Sequence, residues 1–125
     1  MTAVVYTTTG KNWVVDKVDN TVGAATFYIA WGTGGSSTGG TATAGDTTLS
    51  ARATEAAVIT TNSQPSADTN QWVGTLTTTT VKVIEEAGLF AGTSTATTMI
   101  IRGSHGGVVL AVSDSIQYTI SLQQT

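Results

Sequence analysis

The chain of 125 residues has no cysteine. Disulfides and thiolate chemistry are therefore excluded, and cysteine usage says nothing of the compartment. Charge is scarce as well. Only 10% of residues are charged, the formal net charge is −3, and lysine and arginine together number 5. No basic patch is available to neutralise phosphates, so nucleic acid is not an expected partner. The one histidine, His105, leaves too few ligands for a zinc site. Asp16, Asp19, Asp46, Asp68 and Asp114 are scattered and form no D-x-D-x-D-G calcium loop. No cofactor is expected. No run reaches the roughly 20 apolar residues of a membrane span, and Met1-Thr2-Ala3 lacks the basic start of a signal peptide. A membrane is not an expected partner either.

What the chain does have is threonine, 27 residues of it, together with 14 glycines. β-Branched side chains are stiff at χ1 and favour a pleated surface, so a chain rich in Thr, Val and Ile is mostly strand. Its surface carries hydroxyls rather than charges. Burying hydrogen-bonded hydroxyls costs far less than burying charges, which favours broad contact with other proteins. It also makes a free monomer less soluble.

Residues 1–9 end in three threonines and read as an extended arm or short strand. From Gly10 to Val18, Trp13 and Lys17 share a helical face, as do Val14 and Val18, so a short helix or a strand is expected. Trp13 would pin it to the domain. Phe27, Ile29 and Trp31 alternate with Thr26, Tyr28 and Ala30, the pattern of a central strand with two fairly apolar faces. Residues 32–45 hold only Gly, Ser, Thr and Ala and read as a long loop. Asp46 is a candidate helix N-cap. Strand pattern resumes at 54–61 and returns at 71–77, with a turn at 63–68 marked by Pro65. Val81, Val83 and Ile84 lead through Glu85 and Glu86 to Leu89 and Phe90, a core strand with a bend or bulge at Gly88. A strand at 97–102, a glycine loop at 103–107, a short apolar run at 108–112 and a clean alternation at 116–122 follow. This predicts an all-β fold: a single antiparallel β-sandwich, 24–125, preceded by an arm and short helix or strand, 1–23.

Candidate chemistry is thin. Glu85 and Glu86 are adjacent, so on a regular strand they point to opposite faces and cannot easily share a substrate. Ser104, His105 and Asp114 are the residue types of a triad, but geometry defines a triad. The glycines of 32–45 lack the Gly-Lys-Ser/Thr ending of a phosphate loop. Trp31 and Trp72 could stack on sugars if exposed, but their strand patterns place them in a core. No catalytic residue is assigned, and a non-enzymatic role is expected.

Six stretches, taken in order, carry a resemblance. They are Gly10-Lys11-Asn12-Trp13-Val14-Val15-Asp16, Tyr28-Ile29-Ala30-Trp31-Gly32-Thr33-Gly34, Asp46-Thr47-Thr48-Leu49, Gln71-Trp72-Val73-Gly74-Thr75-Leu76, Glu86-Ala87-Gly88-Leu89-Phe90 and Ser113-Asp114-Ser115-Ile116-Gln117-Tyr118. Together the chain resembles small virion proteins of tailed bacteriophages, of head-decoration (cement) or tail-fibre type. The resemblance implies a virion protein made in the host cytoplasm, with the capsid exterior as its expected place. The expected partners are the major capsid protein and further copies of the chain, in a homotrimer. The alternative is a tail-fibre or baseplate module that binds a host-surface glycan. Residues 1–9 and 32–45 are poor in large apolar side chains, which predicts segments ordered by their partners. Thr2, Val4, Val5, Tyr6, Thr33, Ser36, Ser37, Thr38 and His105 are accordingly the candidate interface residues.

Overall fold

Alternation along Thr26–Gly32 (β2) sends Ile29 and Trp31 into one apolar cluster and Ala30 into another. Both faces of this strand are therefore covered, as its two apolar faces require. The computed structural model describes residues 3–19, 26–35 and 40–124. Around β2 the described residues form β1 (Ala3–Tyr6), α1 (Thr8–Val18), β3 (Val58–Ile59), β4 (Thr61–Ser66), β5 (Thr69–Thr77), β6 (Lys82–Gly92), β7 (Thr98–Leu110) and β8 (Ser115–Gln123). One sheet runs β1-β7-β6-β2-β3 and the other β4-β5-β8, and every pairing is antiparallel. Their inner faces meet through Ile29, Trp31, Leu89 and Ile101 on one side and Trp72, Leu76 and Tyr118 on the other. The expected all-β sandwich is what the chain forms, and Trp31 and Trp72 are in its core at 0% and 6% exposure.

A third layer lies on the outer face of the larger sheet. Leu49 and Ala57, from the long connection between β2 and β3, pack on Ala30, Phe90 and Met99. This connection has no regular secondary structure in its described part. Asp46 caps no helix there. It accepts from the backbone N–H (2.7 Å) and hydroxyl (2.8 Å) of Thr43 in a turn.

The arm expected at 1–23 does not stand apart from the sandwich. Val4 and Val5 of β1 lie opposite Gly103 and Arg102 at the edge of the larger sheet. Thr7 then caps α1. Its Oγ1 accepts from the Gly10 N–H at 2.9 Å and donates to the Met99 carbonyl at 2.7 Å, fully buried. The helix rests on β7, where a Cβ on Gly10 would strike the Ile100 backbone. Removing residues 3–8 would take away an edge strand and this cap, so that segment is part of the fold. Trp13 does pin the helix, edge-on to Phe27 at 5.5 Å.

Three further expectations change. Gly103–Gly107 is not a loop but part of β7. Three residues of β7 face one of β6 between the Glu86–Ser104 and Ile84–Val108 pairs, so the glycines form a bulge. The backbone stays extended because its partner strand continues opposite it. Gly88 makes no bend in β6. It sits under Phe90, Leu49 and Met99, where a larger residue would crowd, and the register irregularity falls one residue on, between Leu89 and Phe90. Pro65 lies within β4 rather than in the turn. β4 is an edge strand whose pairing is interrupted between Ser63 and Ser66, a place where a missing N–H is tolerated.

Candidate functional site

Arg102, on β7, points to the outer face of the larger sheet and is 1% exposed. A buried guanidinium needs anions and carbonyls around it. Nε and Nη2 donate to Glu86 Oε1 at 3.1 and 2.8 Å. Nη1 donates to Asp46 Oδ2 at 2.8 Å, and Nη2 also meets Ser50 Oγ at 3.1 Å and the Gly40 carbonyl. Glu86, 0% exposed, turns its remaining capacity to backbone. It accepts from Gly34, Ser50 and Ala51 N–H at 3.2, 2.8 and 2.7 Å. Ser104 adds a further tie, accepting from Ala42 N–H at 3.0 Å. Burial pushes the Asp46 carboxyl up, but hydrogen bonds from Thr43 and Arg102 outweigh it and hold it below its usual value.

This cluster is an internal clamp. It fastens described parts of the 33–52 segment to β6 and β7 with charge-assisted bonds, which add to the packing of Leu49, the segment's one large apolar side chain. Both charged partners are sealed from solvent, so the arrangement suits anchoring rather than turnover. Glu85 and Glu86 are both buried, at 3% and 0%. Described residues of the arm and of the 33–52 segment also make bonds within the chain: Val4 and Val5 pair with β7, and the backbone N–H groups of Gly34 and Ala51 donate to Glu86.

At the opposite end of β6 the described residues leave valines uncovered. Val83 and Val109 face each other across the β6–β7 ribbon and are 42% and 74% exposed, with Val81 beside them at 70%. On the far side of β7, β1 pairs only with residues 101–104. Beyond Ser104 the β7 backbone has no strand partner on that side among the described residues.

The other candidate residues disperse. His105, half-buried, sets Nε2 2.9 Å from the Tyr118 hydroxyl and Nδ1 2.8 Å from the Gly106 carbonyl. Burial and then the charge of Glu86 push the Tyr118 phenol up. Ser104 faces Ala42, and Asp114 accepts from Ala111 N–H in its own turn, so the three triad residue types each have other partners. Val4 and Thr33 are exposed, while Val5 and Tyr6 are half-buried. Thr2, Ser36, Ser37 and Thr38 lie outside the described residues.

A cleft of about 420 Å³ opens between α1 and the smaller sheet. Trp13, Phe27 and Trp72 line it, and the Phe27 and Trp72 ring centroids are 5.2 Å apart. Asn62, Asn70 and Gln124 stand around it. The sequence points to Trp13 and Trp72 but not to the cleft, because its walls come from six elements, α1, β2, β4, β5, β7 and β8. Comparison of the chain with protein-family models, with curated proteins and with solved structures gives no match.

Proposed function

We propose that this protein is a non-enzymatic structural component of a tailed-phage virion, a capsid decoration protein that binds over the major capsid protein shell and against further copies of itself. The observation that carries this reading is the open end of the β6–β7 ribbon. There an apolar valine face and a strand edge with no partner among the described residues coincide. A monomer gains nothing from either, and each is a template for a neighbouring chain. An extended segment can add to the β7 edge through main-chain hydrogen bonds while its side chains pack on Val83 and Val109. The charge-poor, hydroxyl-rich remainder of the surface loses little on desolvation. The ordered resemblance to virion proteins supplies the phage context. Three copies in a closed ring suit a three-fold position on a shell. The alternative, a tail module reading glycans through exposed aromatics, loses Trp31, which is fully buried, and keeps Trp72 only as part of the floor of the cleft beside α1.

Gel densitometry of purified particles tests the reading. Hundreds of copies per virion are expected. A small multiple of three or six would place the protein in the tail and contradict it.

A further inference from the structure

We propose that the cleft between α1 and the smaller sheet binds a sugar ring, neutral or acidic. Its volume, about 420 Å³, lies in the range of small-ligand sites, roughly 300–1,000 Å³. It is too small for a partner's helix, which is about 10–12 Å across with its side chains. The floor is aromatic and already assembled. Trp13 meets Phe27 edge-on at 5.5 Å and an interplanar angle of 79°, and Phe27 meets Trp72 at 5.2 Å. Trp72 is held at 6% exposure, so this part of the floor is fixed before a ligand arrives. Such a floor takes a flat ligand with an apolar face.

The rim decides which flat ligand. The carboxamides of Asn70 and Gln124 have no hydrogen-bond partner among the described residues, and Asn62 uses its Oδ1 to accept from Thr60. A purely apolar occupant would strip water from these amides and return nothing. A pyranose has an apolar C–H face for the floor and edge hydroxyls that both donate and accept, which matches a carboxamide's two functions. Among the described residues no carboxylate lines the cleft, and Lys17 stands at its lip, so a cationic ligand is disfavoured and an acidic sugar is accommodated. This site is distant in the fold from the valine ribbon and does not depend on the decoration role.

Tryptophan fluorescence is the readout, since two of the three tryptophans line the cleft while Trp31 is buried elsewhere in the core. The intact protein is titrated with glucose, N-acetylglucosamine and glucuronic acid, and with indole as an aromatic probe without hydroxyls. A saturable change is expected with at least one sugar, at a Kd near the millimolar range, weakened about tenfold or more in Trp13→Ala and in Asn70→Ala. Asn70 is exposed, so its variant keeps the fold if the floor variant does not. Saturation by indole and by none of the sugars would overturn the proposal in favour of an apolar anchor site. Equal sugar affinity in Asn70→Ala, or no response to any of the sugars, would overturn it too.

Discussion

The two ends of β6 share a strand and almost nothing else. From Ile84 to Ala91 every residue is buried, sandwiched between the smaller sheet and the 33–57 layer. At Val83 the same strand has left that cover, at 42% exposure. The difference comes from what lies above the sheet rather than from the strand's own residue types, since valines fill the open end and glutamates the closed one. A layer without regular structure and with few large apolar side chains, Leu49 among them, can still seal a sheet if a few buried charges hold its backbone. Where no such clamp exists, valines stay exposed and the strand edge stays open.

Breaking the closed end should have the largest effect. Glu86→Ala leaves Arg102 buried with only Asp46 as counter-charge and frees three backbone N–H groups. A loss of about 3–5 kcal/mol is expected in urea unfolding. Replacing both partners, Glu86→Leu with Arg102→Met, should cost less than Glu86→Ala alone, because no charge is then stranded. Next in size is Thr7→Val, which removes the buried cap of α1 and should cost about 1–2 kcal/mol by the same assay.

The fold was legible where one residue type repeats with a simple period. Alternation at 26–31 and 116–122 named strands that exist, and β-branched composition named the class. The clamp was not legible, because its members are 46, 86 and 102, joined only by the packing of an irregular segment on a sheet. An arginine in an apolar strand, Met-Ile-Ile-Arg102, was the one available signal, since such a charge must find a buried anion. Thr7 was missed for a related reason: the cap is made as much by carbonyls of β7 as by its own helix. The glycines at 103–107 misled because glycine marks a bulge as readily as a loop, and the partner strand decides between them.

A smaller effect concerns acid. Lys82 sits at the junction between the two ends, 2.5 Å from Glu55. Burial raises the Glu55 carboxyl, but hydrogen bonds from Lys82 and Thr79 outweigh it and hold it at about 2, against an ordinary 4.5. The folded state therefore binds fewer protons than the unfolded one in this range. The stability this contributes is full above pH 4.5 and is lost as pH falls toward about 2. In thermal melts across that range, Glu55→Gln should show a shallower decline than the parent. An unchanged slope would remove Glu55 from the acid response.

The smallest effect on the monomer should come from the open end. Val109→Lys lies on exposed surface and should shift unfolding by no more than about 0.5 kcal/mol. It should nevertheless lower occupancy on capsid shells, measured by densitometry after incubation with shells lacking the protein. Unchanged occupancy would exclude the valine face from the contact.

Hydrogen exchange of the protein alone and bound to such shells compares both ends of β6 at once. In the free protein the amides of Gly34, Ser50 and Ala51, bonded to Glu86, should already be protected, and Val108 and Val109 should exchange faster. On shells, new protection should appear at 81–83 and 105–112 and be absent at 33–52. New protection confined to 33–52, with the ribbon unchanged, would contradict the assignment of clamp and contact surface.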